Sequence, residues 1–374
     1  MKIFIPTILS TGRTVGVAEY LVNLIKNLEN IDEQNEYYIL TTPHNRYMFK
    51  LRNKNFHEII VNIYDFSRIY LRVNYYVWQL LQFKKIVKRL NIDIIHFPCP
   101  WFIPKTLRSV TTVHDMTEFN TLKYGRLNNH IKKEMIKSSL RNSSEIIAVS
   151  ESTKNDIRKF IPINVHMIYN GVSEINNEPL NSETILKKYN IVSKKYFVFI
   201  GTLQKHKNIK NIIEAFNIFS SYNKEFTLVL IGKKDNAVNE INKKISESGL
   251  TNSVRLLGYL PEKEKNIFLS RAFCLLYPSL YEGFGFPILD AQLRGVPVIT
   301  SNISSMPEIS GDGAVLVNPT DSTNIADAMS LLVQNKSLVP DLITKGYENV
   351  KRFSWTKCAE QTLAVYQNIF THPF

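Results

Sequence analysis

Pro278-Ser279-Leu280-Tyr281-Glu282-Gly283-Phe284-Gly285-Phe286-Pro287-Ile288-Leu289-Asp290 is the stretch on which the fold reading turns. It follows the apolar run Ala272–Tyr277, which reads as a buried strand, and leads into the helical pattern Ile288–Arg294. Gly283 and Gly285 let the main chain pass close to a ligand. Pro287 suits the first turn of a helix, where its missing N–H forfeits no hydrogen bond. Glu282 sits on the loop, and Asp290 lies about one turn into the helix. Two carboxylates so placed accept hydrogen bonds from the vicinal hydroxyls of a sugar or a ribose, and the helix N-terminus between them can face a pyrophosphate. The competing reading is a pair of solvated surface acids, since burying two unpaired acids is costly.

The same strand–loop–helix pattern extends in both directions. Tyr196–Ile200, Phe226–Ile231, Val254–Leu257 and Val296–Thr300 read as further strands of the second half, separated by the helical segments Asn208–Ser221 and Glu262–Ser270. In the first half, Lys2–Pro6, Tyr37–Thr41, Ile92–Phe97, Ser109–Val113 and Ile146–Val149 read as strands, with amphipathic segments at Val17–Leu28 and Tyr75–Leu90. A polar break at Ser173–Ser182 divides the halves. Alternation of this kind predicts α/β domains with parallel sheets. A chain of 374 residues has room for two of them. The expected architecture is two doubly wound domains with a cleft between them, split near residue 180.

Open parallel sheets bind ligands beyond the carboxyl ends of their strands. Three further segments stand at such places. Gly201-Thr202-Leu203-Gln204-Lys205-His206-Lys207-Asn208 follows a strand and precedes a helix, so its lysines suit phosphate oxygens; the alternative is a solvated basic loop. Ile8–Gly16 follows the first strand and ends in Gly16 just before a helix expected near Val17. Its spacing is not the dinucleotide fingerprint, which argues against an oxidoreductase. His114-Asp115 follows Ser109–Val113. A single histidine is more often structural than functional, and Asp115 either orients it or anchors the next loop.

The Glu282–Asp290 segment resembles the E-x7-E signature of retaining GT-B glycosyltransferases of glycosyltransferase family 4. The resemblance runs through nearly the whole chain: the Gly16 loop, Asp93–Pro98, Thr112–Asp115, Ala148–Glu151, Tyr169–Val172, Lys207-Asn208, Leu257–Pro261, Gly295–Val298, Ser301–Glu308 and Phe353–Trp355. Among subgroups it is most similar to bacterial mannosyl- and rhamnosyltransferases of O-antigen or capsule synthesis. This implies a GT-B fold of two Rossmann-like domains facing across a cleft, with residues 1–180 as acceptor domain, 181–354 as donor domain, and a terminal helix, 355–370, packing back on the first. It implies that Glu282 holds donor-sugar hydroxyls, helped by backbone N–H groups around Gly283, Phe284 and Gly285, and that Asp290 holds the ribose diol. Lys207 would neutralise the donor diphosphate, beside Thr202, Lys205 and His206, and Gly16 would let its loop approach that diphosphate. The base would lie near Gly232, Leu257, Tyr259 and Leu260. His114 would line the donor sugar or the acceptor, and His96 would support it. Two departures stand out: Asp290 replaces the usual Glu, one methylene shorter, and His206 replaces the usual Arg, so Lys205 is expected to share the diphosphate.

The resemblance also implies a retaining, metal-independent hexosyl transfer with no cofactor beyond the nucleotide-sugar donor, a GDP-linked mannose type being the subgroup's suggestion. The implied acceptor is a polyprenyl-diphosphate-linked glycan or an oligosaccharide. No D-x-D arrangement calls for a metal. The formal charge of +13 favours anionic partners. A nucleic-acid binder is the alternative from another class, but the lysines are dispersed and no recognition module is present. A GT-B nucleotide-sugar epimerase is the alternative within the architecture. Arg68–Leu90, with Tyr70, Tyr75, Tyr76 and Trp78 among its basic residues, reads either as a core helix with a basic end or as a surface for an anionic bilayer. Cys99, Cys274 and Cys358 are too scattered for a disulfide framework or a metal site. No apolar run reaches the roughly 20 residues of a membrane span, and Met1–Pro6 reads as a strand, not a signal peptide. The expected location is the cytoplasm, at the inner face of a bacterial membrane.

Overall fold

The computed structural model describes residues 1–7, 15–61, 83–100, 108–120, 126–172, 181–235 and 237–371. The chain divides into two compact units, Met1–Gly171 with Ser354–Phe374, and Val172–Phe353.

The first unit is built on a seven-stranded sheet in the order β3-β2-β1-β4-β5-β6-β7. Its strands are β1 (Lys2–Pro6), β2 (Glu36–Thr41), β3 (Phe56–Ile60), β4 (Ile94–Phe97), β5 (Ser109–Val113), β6 (Glu145–Ala148) and β7 (His166–Met167). Every pairing is parallel, and in the sheet's middle Ile3 faces Tyr37 on one side and Ile94 on the other. Ile3, Phe4 and Ile5 are wholly buried, so the first strand is covered on both faces. That is why it reads as an unbroken apolar run and not as an alternation. The terminal helix Trp355–Thr371 belongs to this unit and packs on the helix Val15–Ile31. Its start constrains Gly171: a Cβ there would lie 2.3 Å from the Trp355 nitrogen, so only glycine fits.

The second unit carries a six-stranded parallel sheet in the order β10-β9-β8-β11-β12-β13. The strands are β8 (Tyr196–Ile200), β9 (Thr227–Ile231), β10 (Val254–Gly258), β11 (Cys274–Tyr277), β12 (Val298–Ser301) and β13 (Val315–Val317). Phe197, Phe199, Phe216 and Phe219 are among its largest fully buried side chains. The strand order reverses between β8 and β11, which are neighbours in register Cys274↔Phe197 and Leu275↔Val198. Chains leaving such a pair turn in opposite directions and open a crevice at the strands' carboxyl ends. The loops that leave there carry Lys207 and Glu282.

Several expectations shift in detail. The edge strands β3, β7 and β13 are additions to the runs predicted from hydropathy. The first helix starts at Val15, so Gly16 lies inside its first turn and not on the preceding loop. Residues 62–82 fall outside the described part, and with them Arg68, Arg72 and the aromatic residues of the basic segment. The described remainder, Lys84–Leu90, is helical with Val87 buried and Lys84, Lys85, Lys88 and Arg89 exposed. Among the described residues no helix is long and apolar enough to cross a membrane.

Candidate active site

The loop after β8 closes in a short 3-10 turn, Lys205–Lys207, and then Asn208 takes a left-handed conformation at φ 64°. Asparagine tolerates that region better than most residues, and here its side chain is also used. The buried Asn208 amide donates to the Pro278 carbonyl at 2.9 Å and to the Pro319 carbonyl at 2.6 Å. The Leu280 N–H donates to the His206 carbonyl at 2.8 Å. The loops after β8 and β11 are thus stitched together through main-chain and amide hydrogen bonds.

This stitching brings Lys207 to Glu282. The Lys207 ammonium donates to Glu282 Oε1 at 2.6 Å and to the Tyr277 hydroxyl at 3.1 Å, and it stands 5.4 Å above the centre of the Tyr277 ring. The two charged side chains are only 13% and 12% exposed. Burial alone pulls the Lys207 pKa down, but Glu282 and Tyr277 outweigh it and the net shift is upward. Lys207 is therefore a fixed positive charge.

Asp290 lies on the helix Phe286–Leu293, which Gly285 opens at φ 112° with Pro287 in its first turn. Its side chain is 22% exposed, so neither Glu282 nor Asp290 is a solvated surface acid. Burial raises the Asp290 pKa, against the pull of Arg294 and Lys265 and with the push of Glu262. The Arg294 guanidinium, 3.6 Å from the carboxylate, also donates to the Asp290 carbonyl at 2.9 Å.

Hydroxyls at the end of β12 and just after it hold the Glu282 loop from its other side. Thr300 donates to the Tyr277 carbonyl at 2.9 Å and Ser301 to that of Ser279 at 2.5 Å. Ser304 donates to the Glu282 carbonyl at 2.6 Å, and Ser305 donates to the carbonyls of Glu282 and Phe284 at 2.9 and 3.0 Å. Of these holding groups, Tyr277, Arg294 and the hydroxyls carry no motif that marks them singly. The run of Thr300 and Ser301 at the end of β12 with Ser304 and Ser305 just after it is the one sequence signal available for them.

The other predicted residues make contacts of their own. Lys205 turns away: its ammonium meets Glu240 at 2.6 Å with both side chains more than half exposed. A 3-10 turn has three residues per turn, so residues two apart point in different directions. Thr202 accepts the Gln204 N–H at 2.8 Å within the loop, and His206 enters the stitching through its carbonyl. Gly232 fits tightly against the loop after β8, because a Cβ there would lie 1.7 Å from the Gly201 carbonyl oxygen. Its N–H donates to the Gly258 carbonyl at 2.9 Å. Beyond it Leu257 is half-buried, Tyr259 is 72% exposed and Leu260 is buried. Gly283 and Phe284 are buried within the Glu282 loop.

In the first unit, His114 follows β5. Burial lowers its pKa to about 4, against the opposing effects of Asp115 and of a hydrogen bond to the Pro98 carbonyl. The ring is therefore neutral near pH 7. Its Nε2 is buried and has no hydrogen-bond partner among the described residues, so Nδ1 carries the proton given to Pro98 and Nε2 is left as an acceptor. The Tyr20 ring meets it edge-on at 4.8 Å. Asp115 accepts the Thr117 N–H at 2.8 Å and so anchors the following turn. His96 is engaged on both nitrogens, by Thr112 at 2.8 Å and by the Tyr366 hydroxyl of the terminal helix. Among the described residues no cluster of three His, Cys, Asp or Glu side chains has metal-site geometry.

Residues 15–174 match the family model described as Glycosyltransferase Family 4, and residues 181–349 the one described as Glycosyl transferases group 1. The chain is 28% identical over 286 residues to the O-antigen chain mannosyltransferase B of Escherichia coli, covering 74% of each chain. It is 29% identical over 261 residues to the O-antigen chain mannosyltransferase RfbU of Salmonella typhimurium, covering 68% of this chain and 67% of that one. Among solved structures, the sucrose-phosphate synthase of Thermosynechococcus elongatus superposes with a TM-score of 0.80 at 17% identity, over 99% of both chains. The two Rossmann-like units are those of the GT-B fold.

Proposed function

We propose, from the matches of residues 15–174 and 181–349 to the family models for Glycosyltransferase Family 4 and Glycosyl transferases group 1, that the chain is a retaining glycosyltransferase of surface-polysaccharide synthesis. It moves a hexose from a nucleotide-diphosphate sugar to a lipid-linked or oligosaccharide acceptor. The observation that carries this reading is the Lys207–Glu282 pair at the switch point of the second sheet, 2.6 Å apart and close to a helix N-terminus.

The roles follow from the chemistry of the groups. On donor binding, Lys207 exchanges the Glu282 carboxylate for diphosphate oxygens, an ammonium for two or more anionic acceptors. Glu282, released, accepts hydrogen bonds from sugar hydroxyls. The first-turn N–H groups of the helix after Gly285 face the diphosphate. Asp290, ionised, accepts from the ribose diol while Arg294 holds it. Nε2 of the neutral His114 accepts a hydrogen bond from a sugar hydroxyl. Gly16, in the first turn of its own helix, offers an N–H with no partner in the helix.

The acceptor hydroxyl then attacks the anomeric carbon on the face from which the diphosphate leaves. The new C–O bond forms as the old one breaks, and the hydroxyl proton passes to a departing phosphate oxygen. Lys207 and the helix terminus stabilise the leaving charge, so the rate comes from placement and electrostatics, without a covalent nucleophile. In the proposed mechanism protein groups, and not a metal, supply this neutralisation. The names of the two O-antigen relatives, both mannosyltransferases, support a mannose-type donor, and the GDP linkage is part of the proposal. Attachment to an anionic membrane surface goes with a lipid-linked acceptor and with the charge of +13.

Thermal shift against GDP, UDP and dTDP tests the donor assignment. A ligand at 100 times its dissociation constant stabilises by about 2.7 kcal/mol. GDP is expected to raise the melting temperature most, and no response to any of the three contradicts the proposal.

A further inference from the structure

Five non-glycine residues among those described have a positive φ: Asn91, Asn190, Lys194, Asn208 and Ser304. Three are asparagines, which visit this region readily. Ser304, at φ 59°, is not of that kind. A glycine would take the same conformation without strain, so backbone shape alone gives no reason for a serine there. Residues held in such conformations concentrate where the surrounding structure uses them.

The use is visible in the hydroxyl. Ser304 Oγ donates to the Glu282 carbonyl at 2.6 Å and accepts the Glu282 N–H at 3.2 Å. One hydroxyl therefore satisfies both main-chain polar groups of a single residue 22 positions away. Ser305 adds a second hydrogen bond to the same carbonyl at 2.9 Å. With its main chain fastened, the carboxylate is the part of Glu282 left to face Lys207. We infer that Ser304 is a positioning residue, whose hydroxyl clasp fixes the Glu282 carboxylate for the donor sugar. The inference rests on the transferase reading for its consequence but not for the clasp itself. Misplacement of a binding group by about 1 Å is enough to lower a rate about 100-fold.

Ser304→Gly and Ser304→Ala separate hydroxyl from backbone. Both lose the clasp, but only the glycine relieves the left-handed strain. Three readouts are taken on the full chain: melting temperature, kcat and KM for the donor, and hydrogen exchange of the Glu282 amide. Ser304→Gly is expected to melt above Ser304→Ala. Both variants are expected to lose about tenfold in kcat/KM and to exchange the Glu282 amide about tenfold faster. Wild-type turnover in Ser304→Gly, or activity that merely tracks melting temperature across the two variants, overturns the positioning role. Should the wild-type chain transfer no sugar from any nucleotide donor, the transferase reading fails by that result alone. Exchange then decides the clasp: faster at Glu282 supports it, and unchanged overturns it.

Discussion

Lys207 Nζ lies 2.6 Å from Glu282 Oε1, although 75 residues separate them in the chain. Each leaves the carboxyl end of one of the two strands between which the second sheet reverses its order. The contact has an energetic and a functional consequence. Lys207→Ala strands a largely buried carboxylate, so the second unit should melt lower. It also removes charge-assisted hydrogen bonds of about 1.5–3 kcal/mol, which predicts a fall of about 10- to 150-fold in kcat/KM for the donor. Adding Glu282→Ala should restore part of the melting temperature, because no unpaired charge remains, and none of the turnover. Steady-state kinetics and thermal unfolding of the single and double variants check both limbs.

Gly232 meets the Gly201 carbonyl so closely that a Cβ would lie 1.7 Å from its oxygen. Gly232→Ala therefore forces β9 and the loop after β8 apart. The expected loss is about 4 kcal/mol or more, or failure to accumulate as soluble protein. Gly249→Ala is the control, with a positive φ of 66° but open space around the added methyl. It should lose only about 1 kcal/mol. Chemical denaturation of both variants tests the contrast.

His96 and His114 are buried in neutral form, with pKa values lowered to about 3 and about 4 by burial. In the unfolded chain both return to about 6.5. Below that value the unfolded state binds protons that the folded state refuses, so stability rises with pH in this window. The first unit should lose stability as pH falls from about 6.5 towards 4, by up to about tenfold in the folding equilibrium per pH unit for each histidine. His114→Gln should flatten the dependence. Denaturant midpoints measured across this range test it, and a slope that His114→Gln leaves unchanged contradicts it.

Asp290 has a raised pKa, chiefly from burial, and its proposed task requires the ionised form. Donor affinity should therefore fall on acidification at a pH above that of an ordinary aspartate, about 3.9. Titration calorimetry of the nucleoside diphosphate at several pH values reads this. Asp290→Asn should bind weakly at every pH and show no such transition.

Much of the fold is legible in the sequence because parallel strands covered on both faces are unbroken apolar runs, as in Lys2–Pro6 and Tyr196–Ile200. The strands that escape reading are at sheet edges and lack that mark. Phe56–Ile60 leaves His57, Glu58 and Ile60 exposed, and His166–Met167 is only two residues long. The candidate site is legible where a local motif suggests chemistry, at Lys207, Glu282 and Asp290. Lys205 reads identically to Lys207, and only the turn geometry separates them. Tyr277, Arg294 and Ser304 act through contacts set by strand order and helix pitch, and spacing along the chain does not display those contacts.

Transfer itself is the most direct test of the central claim. The full chain, a panel of GDP-, UDP- and dTDP-linked hexoses, and a polyprenyl-diphosphate-linked or oligosaccharide acceptor are incubated with and without a chelator. The product's anomeric configuration is read by NMR beside a Lys207→Ala control. The account predicts transfer from one nucleotide class, with retained configuration, no effect of chelation, and a large loss in the variant. Absence of transfer across the panel, an inverted product, or full turnover by Lys207→Ala would contradict it.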